Sequence, residues 1–279
     1  MSFGGTTVSE QTVVLKATQP YTGIRIAFEH VVTATGELVA GTESLDLISQ
    51  IVVDVPEYGS NSRRVDMDTN TVYMLPMFSQ LASIGSSDAA SATSTDSGLG
   101  TDAIDGFAYY DIPTNVTNIA EDTRITIRAA ASAGANTLNV SFALLDKPMR
   151  QVYYRAYQHG AGTSNVQQWF PSDGTLLGVV VGATDGTPVA GDIYNSRDAD
   201  AISRISLDGE QSTTFSNPEL LAAGLDEVIS GGGVSDESFA ALDVYSMLQN
   251  FPIAAGARYV QVDRSDSVGL LIGGVLTDA

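Results

Sequence analysis

Apolar and polar residues alternate over short runs along most of the chain. In "GIRIAF" (23–28), Ile24, Ile26 and Phe28 are separated by Arg25 and Ala27, the period-two pattern of a strand with one buried face. "TVVLKA" precedes it, and "ISQIVVDV", "GFAYYDI", "TRITIRAA" and "NTLNVSFALL" follow. Each is rich in Val, Ile, Tyr or Thr and is closed by Gly, Pro, Asn or Asp, which predicts strands separated by turns. Helical periodicity is scarce. It emerges in "LPMFSQLASIG" (75–85) and in "NPELLAAGLDEVISGGG" (217–233). In the latter Asn217 is placed to cap, Pro218 enters the first turn, Leu221, Leu225 and Val228 share a face, and glycines stop the helix. The fold class is therefore all-β, a sandwich or barrel, with few helices.

The same inventory is written twice. "ELVAGTESLDLISQI" (37–51) returns as "TPVAGDIYNSRDADAISRI" (187–205), and "GTLLGVVVGA" (174–183) stands where "YTGIRIAFEH" (21–30) stood. "AISRISLD" answers "LISQIVVD", and each half then carries a proline-headed helix, at Pro76 and Pro218. "SFAALDV" answers "GFAYYDI", setting Phe239, Ala240, Asp243 and Val244 against Phe107, Ala108, Asp111 and Ile112. "FPIAAGARYVQV" answers "TNIAEDTRITI", aligning Arg258 with Arg124, although the apolar phase then slips by one residue. Both halves finish on a hydrophobic strand, one ending at Asp146 and the other near Asp278. Five segments kept in one order imply a duplicated all-β domain. The expected organisation is an amino-terminal arm (1–11), a first barrel (12–147) with a polar insertion or tower loop (83–103), an aromatic connector (148–174) and a second barrel (175–279). Trp169, Tyr153, Tyr154 and Tyr157 in the connector are suited to packing at a seam or against a neighbouring subunit.

Charge narrows the partners. The chain has 33 acidic and 13 basic residues, a net charge of −20, and Lys16 and Lys147 are its only lysines. Phosphate binding needs clustered Lys and Arg, so nucleic acid is not an expected partner. The acids are spread along the chain, which suits a hydrated surface over a folded core and matches the habit of halophilic proteins. There is no cysteine, so disulfides, thiolate nucleophiles and cysteine-held metals are excluded. "MSFGGTTVSE" has neither the basic nor the apolar region of a secretory leader, and none is expected.

Candidate chemistry is sparse. His30 and His159 have no Gly-x-Ser-x-Gly elbow to partner them. "DMDTNT" places Asp66, Asp68 and Asn70 at the first three ligand positions of a calcium loop. It then fails at Thr71, where Gly is needed, and at Met77, where Glu is needed. The sequons at Asn115 and Asn139 fall in an expected loop and an expected strand, leaving Asn115 as the acceptor if either is used. No catalytic, cofactor-binding or metal-ligating residue is assigned, no cofactor is expected, and an enzyme is not expected.

The repeated Ile-Ser-x-Ile strands (48–51 and 202–205), the helices headed by Pro76 and Pro218, and the Phe-Ala-x-x-Asp strands (107–111 and 239–243) carry a resemblance. From about Thr12 to Leu276 the chain resembles the double jelly-roll major capsid proteins of icosahedral, membrane-containing viruses, in the small form of bacteriophages and archaeal viruses. The resemblance implies two tandem jelly-roll barrels with a short helix in each. It implies a structural virion protein whose pseudo-hexameric homotrimers tile an icosahedral capsid, six similar wedges coming from two per chain. Neighbouring capsomers, penton or minor capsid proteins and an internal membrane are the implied partners, and the virion, assembled in the host cytoplasm, the implied location. Two alternatives stand beside it: another virion component such as a spike or turret, and a tandem β-sandwich lectin or adhesin. A cupin-like enzyme would need a histidine cluster that two distant histidines do not supply.

Overall fold

Ile24, Ile26 and Phe28 are fully buried, whereas Arg25 between them keeps contact with solvent, so the alternation in "GIRIAF" is a strand with one face on a core. That strand, β3 (Tyr21–Val32), is central in its sheet. It pairs on one side with β9 (Asn136–Leu145), which in turn carries β1 (Ser2–Gly4) at the edge. Its other side pairs with β7 (Phe107–Val116) and, farther along, with β4 (Glu37–Leu38). A second antiparallel sheet runs in the order β2 (Ser9–Leu15), β8 (Thr123–Ala129), β5 (Ile48–Asp54), β6 (Arg63–Asp68). Helix α1 (Leu75–Ala82) lies between β6 and β7 in sequence, with Pro76 in its first turn and Leu75, Phe78, Ser79 and Ala82 buried. These features belong to a computed structural model, which describes residues 1–32, 37–38, 47–82, 107–130, 136–172, 174–184, 202–208, 213–216, 244–246, 258–264 and 267–278.

The chain divides into two compact units, Met1–Val152 and Tyr153–Ala279. In the second, one sheet has the order β10 (Tyr153–Gly162), β17 (Val268–Asp278), β12 (Gly174–Thr184), β15 (Val244–Ser246). The other has the order β11 (Val166–Trp169), β16 (Tyr259–Arg264), β13 (Ile202–Asp208), β14 (Thr213–Ser216). With β4 set aside, the described strands of each unit connect in the same way. First, eighth, third and sixth form one sheet; second, seventh, fourth and fifth form the other. This is the eight-stranded jelly roll, in which strands consecutive in sequence mostly change sheet.

The repeated Ile-Ser-x-Ile has a structural reason. In both units it opens the fourth jelly-roll strand, and in both the ladder slips at its serine. The slip falls between Ile48 and Gln50 in β5 and between Ile202 and Arg204 in β13. The motif therefore marks a shared β-bulge, a feature that bends a strand and sharpens its twist where a sheet must curve. Beyond it, Ile51 faces Ile127 across the ladder and Ile205 faces Val262. Asp54 faces Arg124, but Asp208 faces Tyr259. Arg124 is thus equivalent to Tyr259 and not to Arg258, and the one-residue slip of apolar phase is an alignment error that the register removes.

Other expectations change as well. The 1–11 segment, expected as an arm, instead supplies β1 and the start of β2. Phe3 is buried at 1% exposure, and the terminal ammonium donates to the Val140 carbonyl at 2.7 Å. The 148–174 stretch, expected as a connector, instead holds β10 and β11, paired with β17 and β16. Polar "YYRAYQHGAG" hides a strand because only Tyr153 and Tyr154 of its ten residues are buried, leaving little alternation to read. "SFAALDV" and "GFAYYDI" do mark the same strand, β15 and β7, but not residue for residue. Val244 stands opposite Gly182 as Phe107 stands opposite Glu29. The tower loop 83–103, the second helix at 217–233 and the second Phe-Ala-x-x-Asp at 239–243 lie outside the described residues.

Candidate functional site

His30, on β3 opposite Leu138, is buried at 3% exposure. His159, half-buried on β10, donates from Nε2 to Gln168 Oε1 at 3.0 Å. Burial pushes its imidazole below the ordinary value; the Gln168 hydrogen bond opposes this shift and the nearby Arg264 charge adds to it. The Asp68–Thr71 pair in "DMDTNT" closes a turn: the Asp68 amide donates to Thr71 Oγ1 at 2.7 Å, and the hydroxyl lies 3.2 Å from Asp68 Oδ1. Asp66 takes a hydrogen bond from Arg63 at 3.0 Å. Residues that look like calcium ligands in sequence are thus a capped turn and a surface ion pair. Among the described residues, no group of three or more His, Asp or Glu side chains is placed to hold a metal ion.

Asn115 lies in β7 and not in a loop. Its φ of 44° is the left-handed conformation that asparagine tolerates, and its amide donates to the Arg150 carbonyl at 3.3 Å. The hydroxyl of its sequon, on Thr117, is held by the Glu57 carboxylate, which also accepts from the amides of Thr117 (2.8 Å) and Asn118 (3.0 Å). Desolvation raises the Glu57 pKa, but the Thr117 hydroxyl and the two amides outweigh it, leaving the carboxyl below its usual range. Asn139, on β9, donates to Glu29 at 3.2 Å and accepts from Ser2 at 2.9 Å.

The most concentrated polar cluster pins the first barrel. Asp111, on β7 and fully buried, accepts a two-pronged hydrogen bond from Arg25 of β3 at 2.7 and 2.9 Å, and a third from Lys147 Nζ at 2.6 Å. Its amide donates to Ser79 Oγ of α1 at 2.7 Å. Arg25 also lies over the Tyr109 ring, 3.9 Å from its centre. One of the two lysines is therefore spent on tying β7, β3, the chain after β9 and the helix together. A carboxylate so held is an anchor, with its lone pairs occupied by fixed cations.

On the second unit the outstanding surface feature is aromatic. Trp169 is 58% exposed, and its ring centre lies 4.4 Å from that of its cross-strand neighbour Tyr259. Gln167 and Gln261 pair beside them at 3.2 Å. The sequence gave Trp169 to a connector. The short alternation "VQQW", with Val166 inward and Trp169 outward, was the available signal for an edge strand bearing an exposed ring.

Two jelly rolls in one chain, each with both sheets in the same strand order, make this a double jelly-roll protein of the kind found in viral capsids. The major capsid protein of Sulfolobus turreted icosahedral virus is similar over 99% of this chain and 97% of its own, with a TM-score of 0.59 at 7% identity. A chain from the atomic structure of that virus gives 0.57 at 7% identity over 99% and 88%. The major capsid protein P2 of bacteriophage PM2 gives 0.50 at 9% identity over 100% and 97%. What is shared at these identities is the fold. No protein-family model and no curated protein sequence matches the chain.

Proposed function

We propose that the chain is a structural virion protein, a major capsid protein whose homotrimers of near-sixfold outline tile an icosahedral shell. The observation that carries this reading is the full-length double jelly roll, with the same strand order and the same bulge written into both barrels. Duplication of a wedge, with loops free to diverge, suits a ring of three chains that must present six similar sides. Penton and minor capsid proteins would meet the same lattice, and a membrane could underlie it. The role is architectural, and the chain is not an enzyme.

The charge of −20 sets the conditions. Copies repel one another at low ionic strength, and salt near 1 M cuts the screening length to about 3 Å. Sedimentation of the purified chain in high and low salt tests the reading. Trimers or larger arrays in high salt, dissociating in low salt, are expected. A monomer at every salt concentration that binds oligosaccharides would favour the lectin or adhesin instead.

A further inference from the structure

The register that aligns the two barrels also aligns their outer faces. Val14 lies beside Arg124 in the first barrel, and Trp169 lies beside Tyr259 at the equivalent place in the second. One row thus reads aliphatic and cationic on one barrel, aromatic on the other. All four side chains reach solvent: Val14 is 43% exposed, Trp169 58%, Arg124 exposed and Tyr259 half-buried. Each row lies on the edge strand of its sheet and the strand next to it.

We propose that these rows are the two halves of one contact between copies of the chain, Val14 and Arg124 of one copy seating on Trp169 and Tyr259 of the next. The inference rests on the capsid reading and names the partner for these faces. Complementarity of charge selects the pairing. Two molecules carrying −20 each gain most where a scarce cation of one meets the negative face of an aromatic ring on the other. Arginine suits this role because its flat guanidinium is weakly hydrated and stacks on rings. The first barrel uses the same geometry internally, with Arg25 over Tyr109 and Arg64 over Tyr58, each 3.9 Å from the ring centre. A large exposed aromatic stacked on a second ring, with an amide pair at its rim, has the make-up of an interface anchor. Because the two rows differ, the contact is head-to-tail. Such a contact builds rings, whereas Trp169 meeting Trp169 would stop at dimers.

The test uses full-length Trp169→Ala and Arg124→Glu, both exposed positions, in salt where the unaltered chain assembles. Each variant alone is expected to self-associate at least about tenfold more weakly, with an unchanged circular-dichroism spectrum. Mixed one to one, each retains one intact face, so the mixture should form dimers and go no further. Since the chain has no cysteine, Arg124→Cys mixed with Tyr259→Cys gives a second measurement, a disulfide-linked pair of copies. Assembly of both variants like the unaltered chain, with no cross-link, would overturn the contact and leave the capsid reading standing. An unaltered chain that never assembles would overturn both. Loss of oligosaccharide binding in Trp169→Ala with assembly intact would make this face a sugar platform and overturn the contact.

Discussion

Asp111 accepts hydrogen bonds from two cations while fully excluded from water. Its removal strands both. Arg25 and Lys147 keep 31% and 25% of their side-chain exposure, so they recover part of their hydration, yet Asp111→Ala is expected to destabilise the first barrel by about 3 kcal/mol. Urea denaturation measures this, and a loss below about 1 kcal/mol would show that the cluster adds little. His159 provides a pH test in the second barrel. Its folded pKa is depressed below the ordinary value near 6.5, so the unfolded chain takes up a proton that the folded chain refuses. Its contribution is present above that ordinary value and is lost as pH falls through the depressed one. His159→Gln should flatten the fall in the urea midpoint below about pH 6.5. Trp169, the sole tryptophan, reports the transition from within the same unit, and an unchanged slope would contradict the assignment.

At the scale of elements, close approach matters in β17, where Phe170 lies flat against Gly274. A Cβ at that glycine would enter the Phe170 ring, which is buried and packs edge-on to Tyr157 at 5.8 Å. Gly274→Ala should therefore cost about 1–3 kcal/mol through overpacking, read as a lowered urea midpoint, and a neutral result would mean that the ring moves aside freely. Elements were legible in the sequence where one face is wet and the other dry. β8 alternates without a break, Thr123, Ile125, Ile127 and Ala129 inward and Arg124, Thr126 and Arg128 outward. β1 is too short at three residues to show a period, and β10 is too little buried, so each was taken for chain outside a barrel. Residue equivalences failed where a bulge or an edge strand let side chains change without disturbing the core. Arg124 could become Tyr259 because that position faces outward, and the aromatic row was for the same reason invisible to a search for shared residues.

For the whole molecule, duplication was readable because order survived while residues did not. Five matched segments fixed the sequence of strands, and the sheet orders of the two units repeat it. What a sequence could not supply was how the outer faces pair, since period-two patterning records only which residues leave water. The architectural role follows from two copies of one wedge in a chain with more than twice as many acids as bases, which must be brought together by screening and by a few fitted contacts. Electron microscopy of the purified chain in high salt tests that role most directly. Rings of three chains with six-lobed outline, packing side by side into sheets or shells, are the expected result. A field of separate two-lobed particles under every salt condition would contradict it.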